Sequence, residues 1–177
     1  TATAAAISAP LAAQTADPLA EVATQEERTG RVAQQLWDWA ELGYLENRSS
    51  RLLQEELTGE GFTLEPGIAG IPTAFMAEWG EGGPDIAIQA EYDALPGISQ
   101  TAAPTREQSE LEAGHACGHN LFGAGSLTAA IASKRWLEKT GTPVDRTVIV
   151  SLKAIEAIHV DWQSGAQIPG QSTPADV

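Results

Sequence analysis

Hydrophobic residues recur at helical spacing in the first third of the chain. Val32, Leu36 and Ala40 lie four residues apart, and Thr24 begins a TQEE stretch that has the form of a capping box. This pattern predicts a helix that starts at Thr24. A second helix is predicted over residues 49–59, where leucines repeat on one face before a glycine.

The middle of the chain changes to the pattern of β-strands. Residues 73–79 alternate apolar and other side chains, and the GEGG stretch at 80–83 predicts a turn. Residues 86–90 are predicted as a buried strand, which ends in the acidic segment 91–93. The polar residues 98–113 that follow indicate a loop.

A long helix and a further strand are predicted after this loop. The helix begins after Asn120, which we expect to cap it, and ends at Gly141; the strand covers 146–152. Strand, helix and strand in this order indicate a βαβ unit with parallel pairing. The fold class is therefore α/β, with a partial, open, mainly parallel sheet flanked by helices. Four residues give the helix a small-residue face that suits packing on the sheet: Gly125, Ala129, Ala132 and Ser133.

Composition limits the classes of partner. The chain has 177 residues and 42% hydrophobic residues, which is typical of one globular domain. Its net charge of −14 argues against nucleic-acid and anionic-membrane partners. Residues 1–23 are interpreted as the remnant of a signal peptide, since residues 1–16 contain small residues in A-x-A-like spacing, or as a disordered leader. The first interpretation predicts a periplasmic or secreted protein, and the second leaves a cytoplasmic location open.

The GHACGHN stretch holds the candidate chemistry. Its glycines predict a turn just before a helix, where the helix dipole favours a thiolate at Cys117. With His115 and His119, this thiolate would form a ligand set that suits zinc. A buried inert thiol and a catalytic nucleophile are the alternatives for Cys117. Glu91 and Asp93 are either a solvated strand end or carboxylates that meet this turn at the edge of the sheet.

Longer stretches resemble a known family. The segments IPTAFMAEWGEGGPDIAIQAEYDALPGISQ, GHACGHNLFGAGSLTAAIASKRWLEKTG and TVIV, in this order, resemble the metal-dependent amidohydrolases of the carboxypeptidase G and aminoacylase family. Asn120 follows the second His of the motif, where other branches of the family have Asp. In this the chain resembles the branch that contains the B subunit of aminobenzoyl-glutamate hydrolase. The resemblance covers roughly residues 25–150.

The resemblance implies a function and site residues. Cys117 and His119 match the family's metal ligands, and Asp93 matches an aspartate that supports the metal site. Glu91 stands where distant members have a metal-binding His, and His115 matches a motif position of unassigned role, either ligand or support. The family uses zinc or manganese to hydrolyse amide bonds in N-acyl or aminobenzoyl amino acids or small peptides. Its members form homo- or hetero-oligomers.

The chain departs from the family after residue 150. The family has a G-x-P-A-E-E segment there, whose first Glu is the general base. Here Glu156 lies near that position, but Ala157 stands where the second Glu, a metal ligand, is expected. His159 is a candidate substitute for a lost ligand. We therefore interpret 24–152 as the N-terminal part of the catalytic domain, without the lid domain, and 153–177 as a divergent tail. The alternative function is an inactive fragment that retains at most partial metal binding.

Overall fold

The computed structural model of the chain describes residues 16–80, 85–141 and 146–151, with Asp85 and 146–151 described by their backbone. In these ranges the chain forms helices α1 to α4: Pro18–Ala23, Glu26–Trp39, Asn47–Gly59 and His119–Thr140. The strands β1 to β6 are Thr63–Pro66, Phe75–Trp79, Asp85–Ala90, Leu95–Pro96, Ala113–Gly114 and Arg146–Ser151. A short 3₁₀-helix, Ile68–Gly70, separates β1 from β2.

Four of the strands form one sheet in the order β1-β2-β6-β3. The pairing of β3 with β6 is parallel, with Ala90 opposite Ser151, and α4 connects the two strands. The predicted βαβ unit and the α/β class are thus confirmed. β2 pairs antiparallel with both β1 and β6, so the described sheet is mixed. The short connection from β1 to β2 permits antiparallel pairing, whereas parallel strands need a long crossover such as α4.

The chain forms a short helix before the first predicted one. Asp17 caps α1 by accepting a hydrogen bond from the backbone N–H of Leu19 at 2.9 Å, and Pro18 occupies the first turn. Thr24 ends this helix, because its hydroxyl donates to the carbonyl of Glu21 at 2.7 Å. The predicted capping box at Thr24 is therefore wrong, and α2 begins at Glu26. Residues 1–15 of the predicted leader lie outside the described residues.

Helices α2, α3 and α4 pack together on one side of the sheet. The predicted apolar faces form the core there, with Val32, Leu36 and Leu57 fully buried. At the surface of this helical layer, the carboxylate of Glu60 accepts hydrogen bonds from Arg28 at 2.6 Å and from Arg135 at 2.7 Å. One carboxylate thus links the ends of α2, α3 and α4.

Helix α4 is confirmed from its predicted start region to Gly141, which ends it with φ at 64°. Its predicted packing face is wrong for Gly125 and Ala129, which line a groove, whereas Ala132 is buried. Gly125 is exposed and lines an apolar groove of about 460 Å³ between α1, α2 and α4. The sheet is contacted instead through Ser126, whose hydroxyl donates to the carbonyl of Gln89 at 2.6 Å.

Strand β3 is less buried than its sequence predicts. Ile86 is 48% exposed, because among the described strands β3 has β6 as its one neighbour. Of the helices in the described part of the chain, none combines the length and the apolar character that crossing a membrane requires. The predicted tail over 153–177 lies outside the described residues.

Candidate functional site

A tight glycine turn presents the motif at the start of α4. The N–H of Gly118 donates to the carbonyl of His115 at 2.9 Å, and Gly118 itself adopts φ of 83°, a conformation that glycine reaches without strain. α4 therefore begins at His119. Cys117 is exposed on this turn, so the interpretation as a buried inert thiol is wrong. Asn120 does not cap the helix; its side chain donates to the carbonyl of Ala33 in α2 at 3.2 Å.

His119 is the residue at which the turn and the acidic segment meet. Its Nδ1 lies 2.9 Å from a carboxylate oxygen of Asp93 and 3.2 Å from the carbonyl oxygen of the same residue. Its Nε2 lies 3.0 Å from the Oε2 atom of Glu91. His119 and Asp93 are buried, whereas Glu91 is partly accessible. The predicted meeting of the motif with the acidic strand end is therefore present in the structure.

The hydrogen-bond chemistry of His119 defines what can lie beside it. A carbonyl oxygen only accepts, so the proton on Nδ1 points to Asp93. In the neutral ring Nε2 then presents a lone pair to the carboxylate of Glu91, and these two groups repel each other unless a proton or a metal ion lies between them. An aspartate that orients a histidine in this way is the usual outer support of a metal-binding imidazole.

The donor set can be compared with the needs of a divalent metal ion. His119 Nε2 and the Glu91 carboxylate converge, and imidazole and carboxylate both suit zinc or manganese. Among the described residues, however, no group of three or more His, Cys, Asp and Glu side chains is arranged to hold a metal. The described part of the chain thus offers a metal ion two converging donors, and the exposed Cys117 lies two residues before His119 in the sequence.

Glu91 accepts a hydrogen bond from a residue of strand β3, which ends just before it. Gln89 donates through its amide nitrogen to the Oε1 atom of Glu91 at 3.0 Å, while the other carboxylate oxygen faces His119. Helix α4 packs directly behind this segment. A Cβ atom added to Gly123 would lie 3.0 Å from the carbonyl oxygen of Glu91 and 3.2 Å from the Cβ atom of Tyr92. A larger residue at position 123 would require the helix or the acidic segment to shift by a few tenths of an ångström.

His115 anchors the turn to the end of α2. Its Nε2–H donates to the carbonyl of Leu36 at 2.9 Å, which leaves Nδ1 buried and without a hydrogen-bond partner among the described residues. Burial lowers the pKa of His115, and the nearby His119 lowers it further, so the ring is neutral at pH 7. Because Nε2 is occupied by a carbonyl, the structure places His115 as an anchor of the turn. Glu156 and His159 lie outside the described residues.

Two further carboxylates surround the site, and sequence patterns gave no signal for either. Burial raises the pKa of Glu46 to about 7, with Asp93 and Glu41 adding repulsion and a hydrogen bond from Thr73 opposing the shift. Burial also acts on Glu41, but hydrogen bonds from Ser49 and Arg48 outweigh it and lower the pKa of Glu41. Glu46 therefore carries a proton below about pH 7, whereas the neighbouring Glu41 is ionised at pH 7.

Two curated proteins are similar to this chain in sequence. The chain is 42% identical over 122 residues to the p-aminobenzoyl-glutamate hydrolase B subunit of Escherichia coli (strain K12), covering 68% of this chain and 25% of that protein. It is 33% identical over 135 residues to Xaa-Arg dipeptidase of Mus musculus, covering 70% of this chain and 28% of the relative. The chain thus spans about a quarter of the length of these relatives. A scan against protein-family models found no match.

Solved structures share the fold. A protein from methicillin-resistant Staphylococcus aureus, described as an aminohydrolase, superposes with a TM-score of 0.63 at 21% identity, covering 75% of this chain and 33% of that one. A Bacillus subtilis protein, described as a dinuclear metal-binding peptidase of the M20 family, gives a TM-score of 0.55 at 25% identity, covering 75% and 35%. The chain belongs to this family of metal-dependent amidohydrolases and metallopeptidases.

Proposed function

We propose that this chain provides the metal-binding turn of a hydrolase that cleaves an amide bond in N-acyl or aminobenzoyl amino acids or small peptides. The arrangement of His119 between Asp93 and Glu91 is the observation that supports the proposal most directly. The names of the two curated relatives, an aminobenzoyl-glutamate hydrolase subunit and a dipeptidase, support the substrate class. The word subunit in the first name supports an oligomeric assembly for the whole protein.

The residues have separate roles in this proposal. His119 Nε2, the Glu91 carboxylate and the Cys117 thiolate would hold a divalent ion, zinc or manganese, and Asp93 would keep the imidazole proton on Nδ1. A bound ion would supply the positive charge that polarises the amide carbonyl. Glu156 is the proposed general base, which would remove a proton from the attacking water. The likeness to the Bacillus subtilis protein, a dinuclear metal-binding peptidase, supports the divalent metal.

A second function follows from the limited donor set. Because the described residues bring together two metal donors rather than three, and Ala157 replaces an expected glutamate, the alternative is an inactive chain that retains at most partial metal binding. The two functions differ in turnover. The first predicts release of p-aminobenzoate from p-aminobenzoyl-glutamate by the metal-loaded chain, and the second predicts no product whether or not a metal ion is bound.

Metal content of the purified 177-residue chain tests the site itself. We expect near-stoichiometric uptake of Co²⁺, with a thiolate-to-cobalt absorption band that disappears in Cys117→Ala. His119→Gln should abolish uptake, whereas Asp38→Asn, which removes a charge at an exposed position of α2, should retain it. Absence of Co²⁺ from the unmodified chain would refute the first function and leave the inactive chain, and retention by His119→Gln would refute the proposed ligand set.

A further inference from the structure

A network of buried hydroxyl groups lies behind the acidic segment, centred on Thr73. The hydroxyl of Thr73 donates to the carboxylate of Glu46 at 2.7 Å. Its carbonyl oxygen accepts two hydroxyl hydrogen bonds, from Ser50 at 2.7 Å and from Tyr92 at 2.5 Å. All four residues are buried. Thr73 thus connects the start of α3 to the segment that follows β3.

Tyr92 lies between the two carboxylates that contact His119. Glu91 and Asp93 both direct their carboxylates to that imidazole, while Tyr92 directs its hydroxyl to the carbonyl of Thr73. The ring of Tyr92 also packs near Phe75, with 6.4 Å between ring centroids. A displacement of Tyr92 would therefore move both carboxylates relative to the imidazole.

Two further contacts hold the acidic segment 91–93 in addition to the hydroxyl network. Gly123 of α4 lies against the backbone of Glu91 and the Cβ atom of Tyr92. The N–H of Ala94, directly after Asp93, donates to the carbonyl of Glu41 at 2.8 Å. Among these contacts, the Tyr92 hydroxyl can be removed alone, because phenylalanine retains the ring and its packing.

We propose that Thr73 is a positioning residue of the metal site, which acts by holding Tyr92 through its carbonyl oxygen and so sets the separation of the Glu91 and Asp93 carboxylates. The inference rests on the proposed function for its consequence, metal affinity, but its first effect is on the order of the segment and needs no metal. The hydrogen bonds of Glu46 and Ser50 to Thr73 contribute to this positioning, because they fix the carbonyl group to which Tyr92 donates.

Tyr92→Phe tests the inference in the full chain, with Thr128→Val as the matched control. Thr128 is a buried residue of α4 whose hydroxyl donates to the carbonyl of Ala124 at 2.9 Å, so the control also removes one buried hydroxyl. In the metal-free protein we expect faster deuterium uptake in the peptide covering residues 90–96 for Tyr92→Phe, with the rest of the chain unchanged. The control should leave that peptide unchanged.

The same variants are then titrated with Co²⁺. Tyr92→Phe should weaken Co²⁺ binding, by less than the roughly tenfold loss expected for a group that hydrogen-bonds a metal ligand directly. Thr128→Val should bind Co²⁺ as the unmodified chain does. If Tyr92→Phe fails to fold, Ser50→Ala, which leaves the tyrosine intact, should show the same two effects in a smaller degree.

The outcomes separate this inference from the proposed function. Faster exchange at 90–96 in Tyr92→Phe supports positioning even if the unmodified chain takes up no Co²⁺, a result that would refute the proposed function alone. Unchanged exchange in Tyr92→Phe and in Ser50→Ala would overturn the inference, as would unchanged Co²⁺ affinity in a chain that binds Co²⁺. Equal effects of Thr128→Val would also overturn it, because any lost hydroxyl would then suffice.

Discussion

The two ring nitrogens of His119 face different partners, and this asymmetry defines the site. Nδ1 faces Asp93, which accepts a hydrogen bond from it, and Nε2 faces the carboxylate of Glu91. Sequence spacing could predict the turn, because Gly118 must adopt a positive φ before the helix begins. It could not predict which nitrogen faces which carboxylate, since that depends on how α4 sits over the acidic segment.

Removing the charge from the support of His119 should weaken metal binding. In Asp93→Asn the side chain can still accept a hydrogen bond from Nδ1, but the carboxylate that increases the basicity of the imidazole is gone. We expect Co²⁺ affinity to fall about tenfold, measured by absorption titration. Asp38→Asn, at an exposed position of α2, is the control and should bind as before. Equal affinity in Asp93→Asn would contradict the support role.

The buried carboxyl of Glu46 should make the folded state sensitive to pH. Its pKa is raised from 4.5 to about 7 mainly by burial, so the folded chain keeps a proton that the unfolded chain releases. The free energy of unfolding should therefore fall as pH rises from 4.5 to about 7, by at most about 3 kcal/mol. The stabilisation from the protonated carboxyl is fully present below pH 4.5, the pKa in the unfolded chain. It is lost above about pH 7, the pKa in the folded chain.

Glu46→Gln isolates this contribution. Glutamine can still accept the hydrogen bond from Thr73, and it cannot ionise. Urea unfolding should show the variant more stable than the unmodified chain by about 2 kcal/mol near pH 8 and similar to it near pH 5. Glu65→Gln, at an exposed position, should show no such pH-dependent difference. A gain for Glu46→Gln that is the same at both pH values would exclude ionisation as its cause.

At the scale of elements, helices and strands were predictable where the hydrophobic periodicity agrees with the positions of glycine and other residues that end an element. The α4 helix ends at Gly141, and the β3-α4-β6 unit follows the order of patterns in the chain. The start of α2 was not predictable from its capping box, because Asp17 and Pro18 begin a helix earlier. The hydroxyl network around Thr73 also escaped prediction, since Thr73 and Glu46 are 27 residues apart and hydrogen bonds of this kind leave no periodic pattern.

Two glycines within helices should respond oppositely to alanine. Gly30 lies in α2 with open space around an added Cβ atom, so Gly30→Ala should raise the free energy of unfolding by about 1 kcal/mol. Gly123→Ala gains the same helical propensity, but its Cβ atom meets the backbone of Glu91 at 3.0 Å. We expect a net loss of about 1 kcal/mol or more in urea unfolding. A gain for Gly123→Ala would show that α4 can move away from the acidic segment.

At the scale of the whole molecule, strong charge and an apolar sheet edge oppose each other. The net charge of −14 repels copies of the chain, whereas β3 exposes Ile86 along the edge that has no paired strand among the described residues. An exposed apolar edge of this kind favours association with another strand. The sequence predicted the two features separately, as a net charge of −14 and a partial sheet. Which effect dominates depends on how far salt screens the repulsion.

Association should therefore increase with salt and decrease when the edge carries a positive charge. Sedimentation velocity of the unmodified chain should show more oligomer at about 500 mM than at about 50 mM NaCl, because the Debye length shortens. Ile86→Lys should reduce the oligomer at the higher salt concentration, since an edge lysine must be desolvated when a second strand pairs there. Leu45→Lys introduces the same charge at a residue that is 60% exposed outside the sheet, so it should leave the oligomer largely in place. Equal effects of the two lysines would mean that overall charge controls association, and a monomer at both salt concentrations would mean that the β3 edge is not available to a second chain.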